Sequence, residues 1–158
     1  MGDWIEAGER APAFTLTADD GTKVRLADLK GQPVVLYFYP RDDTPGCTRE
    51  ACAFRDQQAQ LKKLGAQVLG ISPDSSESHE RFRDKYRLNF PLLSDPDHAV
   101  AEKYGAWREK NMYGKVSLHI QRSTYLVDAD GKVAKVWKAV KVDGHDEQVV
   151  AALGELTM

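Results

Sequence analysis

Residues 34–52 read VVLYFYPRDDTPGCTREAC, passing from an unbroken apolar run, through a polar turn, into residues with helical spacing. Val34 to Tyr39 are rich in β-branched and aromatic side chains and show no alternation. That is the pattern of a central strand covered on both faces. Pro40 and the charged residues behind it end the strand. Thr44 then serves as a helix N-cap and Pro45 as the first helical residue, where the missing N–H costs nothing. The helix so predicted runs to Leu64 and closes at Gly65, with Cys47, Ala51, Phe54 and Leu61 on one face. Gln67 to Ser72 reads as a second buried strand. A strand, a helix and a strand of these lengths form a right-handed parallel crossover, which places the chain among the α/β folds.

The flanks fit the same architecture. Phe14 to Thr17 and Lys23 to Leu26 alternate around Asp20-Gly21 as a β-hairpin. A helix over Glu77 to Tyr86 shows Phe82 and Tyr86 inward, with Asp74 and Glu77 as a capping pair. A short helix spans Pro96 to Tyr104 and stops at Gly105. Ser117 to Val127 and Val133 to Val140 form a hairpin around Asp130-Gly131. Gly144 to Leu156 is a last helix with Val149, Val150, Leu153 and Leu156 inward. The expectation is one domain, residues 1–158: an α/β sandwich with a mixed central sheet covered by helices, preceded by an N-terminal hairpin.

The chain has 158 residues, 42% hydrophobic and 29% charged, enough to bury a core and ordinary for a globular protein. A net charge of −2 is too small to point to nucleic acid or a membrane surface. The opening MGDWIEAGER lacks the apolar core of a secretory signal, and Gly2 lacks the Ser or Thr of a myristoylation motif. No apolar run approaches the ~18 residues of a membrane span. A cytoplasmic location is therefore expected, where cysteines stay thiols with catalytic or metal-binding work.

The two cysteines, Cys47 and Cys52, stand five positions apart. Cys47 falls in the first turn of the predicted helix, where unpaired N–H groups and the positive end of the helix dipole stabilise a thiolate. Thr44, as N-cap, points its hydroxyl at the N–H three residues on, close to the sulfur, while Pro45 and Gly46 shield it little. A free cysteine is ordinarily a small buried hydrophobe. The Thr-Pro-Gly approach and the second cysteine favour a nucleophile. A redox pair of the Cys-x-x-Cys kind does not fit the spacing. Zinc needs four ligands, and His79, His98, His119 and His145 show no ligand spacing. Asp42-Asp43-Thr44 behind a buried strand is faintly like an aspartyl nucleophile motif, but without a phosphate cradle these read as solvated loop acids.

Pro40-x-x-x-Thr44-x-x-Cys47 is similar to the peroxidatic motif of peroxiredoxins, and VVLYFYPRDDTPGCTREACAFRD resembles their Q-type, or bacterioferritin-comigratory, subgroup. FPLLSDPDHAVAEKYGAW, KNMYGKV and RSTYLVDADGKV extend the resemblance over nearly the whole chain. It implies a thioredoxin-like fold and a thiol peroxidase without metal or haem. It also implies peroxide substrates, a thioredoxin-like dithiol reductant and, as in many Q-type proteins, a monomer. By residue, it implies Cys47 as peroxidatic cysteine and Cys52 as resolving cysteine. Thr44 would hydrogen-bond sulfur and peroxide, Pro40 would shield the pocket, and Arg122 would be the active-site arginine. Glu50 occupies a motif position to which no role is given, and His119 departs from the small residue expected there. The alternative is a thiol–disulfide oxidoreductase or peroxide sensor acting on protein partners. On a regular helix, residues five apart have Cα atoms roughly 8.6 Å apart, beyond the ~7 Å limit for a disulfide. Pairing Cys47 with Cys52 therefore requires the helix to unwind.

Overall fold

The computed structural model describes residues 3–156, so Gly2 lies outside the described residues. Along the chain run β1 (Thr15–Ala18), β2 (Lys23–Arg25), β3 (Val34–Phe38), α1 (Pro45–Asp56), α2 (Gln58–Lys63), β4 (Gln67–Ser72) and α3 (Ser76–Tyr86). There follow β5 (Leu92–Ser94), α4 (Ala99–Tyr104), β6 (Trp107–Met112), β7 (Lys115–Ile120), β8 (Ser123–Val127), β9 (Val133–Trp137) and α5 (His145–Leu156). Seven strands form one mixed sheet in the order β2-β1-β5-β4-β3-β8-β9, while β6 and β7 pair with each other as a ribbon.

Inside the sheet β3 lies parallel to β4 and antiparallel to β8. All five of its residues are buried. Val34, Leu36 and Phe38 face one layer with Val100, Ala101 and Tyr104 of α4. Val35 and Tyr37 face the other, with Phe54, Leu61, Phe82, Val149 and Leu153 from the remaining helices. Two covered faces explain the unbroken apolar run, and each large side chain buried there contributes roughly 1.5–3 kcal/mol. The predicted helix face is confirmed: Cys47, Ala51, Phe54 and Leu61 are all buried.

The structure corrects several expectations. The long helix is interrupted at Gln57, whose φ of −92° and ψ of 2° leave helical values. Its N–H is shared among three carbonyls of the last turn of α1, a tightening that separates α1 from α2. The expected N-terminal hairpin is present as β1 and β2, and β1 also pairs with β5, so the hairpin extends the sheet. The α3 helix is capped by Ser75 Oγ, which accepts from the Ser78 N–H, and not by Asp74 with Glu77. The segment from Ser117 to Val127 is two strands. β7 pairs with β6, a largely polar and exposed strand whose residues carry no apolar alternation. After Ile120 the chain leaves the ribbon, and Ser123 onward joins β3 and β9. The hairpin around Asp130-Gly131 is present, with Gly131 at φ +89°.

Gly105 ends α4 in the left-handed region at φ +86°, and a Cβ there would lie 2.5 Å from Trp4 Cα and 2.7 Å from Asp3 O. Both backbone strain and collision oppose a side chain. Gly105→Ala should therefore lose at least ~2 kcal/mol of stability, seen as a lower urea midpoint at unchanged slope.

Candidate active site

The polar turn after β3 delivers Thr44 in extended conformation, φ −92° and ψ 156°, as the N-cap of α1. Its carbonyl accepts the first helical hydrogen bond, from the Thr48 N–H at 2.8 Å. Its hydroxyl does not cap the helix as expected. It donates instead to the Arg41 carbonyl at 2.9 Å, an acceptor that the tight turn brings within reach. The first amides of α1 are thus left without a side-chain acceptor from Thr44. That keeps the positive end of the helix available to an anion.

Cys47 is only 1% exposed, a second departure, since Pro45 and Gly46 were expected to leave its sulfur open. The cover includes Arg122, which immediately precedes β8 and whose carbonyl is held by the Val140 N–H at 3.1 Å. Arg122 Nη2 donates to Cys47 Sγ at 3.3 Å, and Nη1 donates to Glu50 Oε1 at 2.7 Å. Glu50 stands three residues after Cys47, on the same face of α1, as helical periodicity requires. Gly46 permits this approach: a Cβ at that position would lie 3.1 Å from Arg122 Nη2.

Burial dominates the electrostatics. It pushes the Glu50 carboxyl up to about 7, outweighing the Arg122 charge and hydrogen bond that pull it down. Burial also works against the Arg122 guanidinium, but the charges of Glu50 and Cys47 overcome it and hold the proton more firmly. Tyr37 lies beneath the same helix. Burial first, then the charges of Glu50 and Cys47, push its phenol well above the ordinary range, so it stays neutral. Glu50 Oε2 and Tyr37 Oη have no hydrogen-bond partner among the described residues.

Of the residues singled out from sequence, Cys47, Arg122 and Glu50 converge directly, and Thr44 joins them through the main chain. Pro40 is exposed at the end of β3. Cys52 is half-buried further along α1, and both cysteines are free thiols. The histidines do not gather: His98 stacks on Trp107 at 3.8 Å, His119 Nδ1 meets the Arg108 carbonyl on β6, and His145 Nε2 lies 2.8 Å from Thr124 Oγ1. Asp42 and Asp43 differ in their setting. Asp42 sits against the fully buried His79 of α3, so the solvated reading fails for it; Asp43 is exposed as expected, yet pairs with Lys85 of the same helix. Their position after a strand gave no hint of this; the one available signal was the pairing of two adjacent acids with a helix carrying Ser78, His79 and Lys85.

Residues 7–136 match the model of the AhpC/TSA family. A putative peroxiredoxin Bcp of Coxiella burnetii is 54% identical, covering 94% of this chain and 99% of its own. The peroxiredoxin Bcp of Escherichia coli K12 is 48% identical, covering 96% and 97%. Peroxiredoxin Q of Xanthomonas campestris superposes with a TM-score of 0.92 at 42% identity, over 96% of this chain and 99% of that one. A Xanthomonas campestris bacterioferritin comigratory protein, described for its alkyl peroxide reduction activity, gives 0.92 at 41% identity over 97% and 100%. The sheet and helices are accordingly those of the thioredoxin-like α/β fold.

Glu50 has a pH signature. Its ordinary value is 4.5, raised to about 7 in the folded protein, so between these values the folded state keeps a proton that the unfolded chain has lost. Stability is therefore lost as the pH rises through this window, by up to ~3 kcal/mol. Glu50→Gln should remove that loss. Urea unfolding should show the variant gaining on the wild type by about 2–3 kcal/mol between about pH 5 and pH 8.

Proposed function

The chain belongs to the AhpC/TSA family and is a peroxiredoxin, a thiol-dependent peroxidase, and on that premise we propose that Cys47 is its peroxidatic sulfur and Cys52 its resolving sulfur. The observation that carries the reading is the Arg122 guanidinium, donating to Cys47 Sγ at 3.3 Å from a side chain only 17% exposed. In so dry a setting a fixed cation lies beside the attacking sulfur and meets the charge that builds on a departing oxygen.

The Cys47 thiolate attacks the terminal, hydrogen-bearing oxygen of hydrogen peroxide or an organic hydroperoxide. A sulfur–oxygen bond forms as the oxygen–oxygen bond breaks. The departing hydroxide or alkoxide takes up a proton and leaves as water or alcohol, and the sulfur is oxidised to sulfenic acid. Thr44, whose hydroxyl proton lies on the Arg41 carbonyl, retains lone pairs to accept a hydrogen bond from the peroxide. Pro40 shields the mouth of the site. Cys52 then displaces hydroxide from the Cys47 sulfur, its own proton completing a water molecule, and a disulfide results. An external dithiol, in our reading thioredoxin, restores both thiols by exchange. Two thiols supply both electrons of each turnover, so the cycle needs no metal or cofactor. Because both cysteines lie on one helix of one chain, residues 1–158 acting as one domain and as a monomer suffice. A reducing compartment such as the cytoplasm suits the reduced state.

The folded α1 delays resolution. Its twelve residues are helical from Pro45 to Asp56, and at the ~8.6 Å separation of residues five apart the two sulfurs cannot bond. Oxidation must unwind roughly residues 45–53, giving up the buried positions of Cys47, Glu50 and Ala51.

Cys47→Ser is expected to abolish peroxide turnover, and Cys52→Ser to consume one equivalent and stop, leaving a trappable sulfenic acid on Cys47. Normal cycling of Cys52→Ser with thioredoxin would move the resolving role elsewhere. In amide hydrogen exchange, residues 45–53 should lose protection once a Cys47–Cys52 disulfide is verified, while Val34–Phe38 stay protected. Equal protection of that helix in both redox states would rule out the unwinding.

A further inference from the structure

The turn from Pro40 to Thr44 is strapped to α3 by both of its aspartates. Asp42 Oδ1 accepts from Tyr39 Oη at 2.6 Å, and Oδ2 accepts from Ser78 Oγ at 2.8 Å while lying 2.7 Å from His79 Nδ1. The Asp42 N–H donates to Asp74 Oδ2 at 2.8 Å. Asp43, with φ +59°, accepts from Lys85 Nζ at 2.7 Å and from Tyr86 Oη at 2.6 Å near the other end of the helix. The two attachments differ in solvent access. The Asp42 and His79 side chains are 4% and 0% exposed, against 41% and 58% for Asp43 and Lys85. Water screens the outer pair, so the buried pair is the stiffer tie.

His79 is fixed from its far side too, with Nε2 lying 3.0 Å from the Leu93 carbonyl. A carbonyl oxygen only accepts, so Nε2 carries a proton there and Nδ1 shares one with Asp42. The peroxide chemistry described above uses none of these groups, yet they hold the residues that lead into α1.

We propose that Asp42 and His79 are positioning residues for the peroxide step, fixing the Pro40–Thr44 turn and hence the first turn of α1 against Arg122. The proposal rests on Cys47 being the attacking sulfur. The first turn of α1 hangs between two ties: Arg122 reaches Glu50 and Cys47 from just before β8, and the Asp42–His79 pair holds the chain two residues before Thr44. Thr44 transmits that hold through its carbonyl, which accepts from the Thr48 N–H. Attack on a peroxide needs sulfur, oxygen and donor in line, and a misplacement of about 1 Å can cost ~10²-fold in rate. Alkylation of the same thiolate by iodoacetamide needs only charge and access.

Two amide substitutions separate the ring nitrogens of His79, because the amide nitrogen of asparagine falls near Nδ1 and that of glutamine near Nε2. In the reduced protein, His79→Asn keeps a donor toward Asp42 and should react with hydrogen peroxide within about threefold of wild type, whereas His79→Gln, left with the Leu93 bond, should be at least about tenfold slower. Both should be alkylated by iodoacetamide at the wild-type rate. If either histidine variant fails to fold, Asp42→Asn decides the matter from the other side of the pair, with the same expectation of slowed peroxide reaction and unchanged alkylation. Equal peroxide rates across these proteins, equal losses in the two histidine variants, or alkylation falling in step with peroxide consumption would overturn the proposal. A mistaken assignment of Cys47 has its own sign: peroxide consumption persisting in Cys47→Ser, whatever happens at residue 79.

Discussion

A guanidinium that is mostly withdrawn from water must have negative charge beside it, and the placement of α1 follows from that need. Arg122 finds Glu50 at 2.7 Å and the Cys47 sulfur at 3.3 Å, both on one face of the helix. The pairing draws the start of α1 over the end of the sheet. Gly46 leaves room for it, since a Cβ there would press on Arg122 Nη2 at 3.1 Å, and the pairing puts the thiol where a fixed cation and the helix N-terminus act together. Without the anions the guanidinium would be an uncompensated charge in a dry layer; without the guanidinium Glu50 would be an isolated buried acid. On the proposed assignment of Cys47, stability and chemistry therefore depend on the same contact.

The compromise is visible in Glu50. Its ion pair is short, yet burial still lifts the carboxyl to about 7, so the arrangement costs folding free energy near neutral pH. Such a cost suits a segment that leaves its place in the proposed cycle. The helix that holds Cys47 is bound firmly at its two ends and expensively in the middle. Upstream, Asp42 and Asp43 tie the turn to α3. Downstream, Phe54 is buried with its ring edge-on to His145, and Gln57 Nε2 donates to Asp146 on α5 at 2.9 Å. Between those anchors lie both cysteines and the strained acid.

The local patterns were readable along the chain. An apolar run, a Thr-Pro-Gly helix start and the facing positions Cys47, Ala51, Phe54 and Leu61 all depend on neighbours within a turn or two, so periodicity carries them. The same locality misled at Thr44, where the N-cap position is correct but the hydroxyl turns to Arg41. It also misled at residues 117–127, where one run of strand-forming residues serves two different sheets.

By itself, then, the sequence determined the strand–helix–strand unit, the placing of Cys47 in the first turn of α1, and the five-residue spacing that forbids a bridge on an intact helix, since each is a property of consecutive residues. Only the tertiary structure decided which distant groups meet. Arg122 reaches Cys47 and Glu50 across 75 and 72 positions of chain, and Asp42 reaches His79 across 37. The burial that sets the charge on Glu50, the tie that turns the apparently solvated Asp42 into an anchor, and the pairing of β1 with β5 all arise from the removal of water between segments. Desolvation is a property of the packed layers, and no stretch of sequence carries it alone.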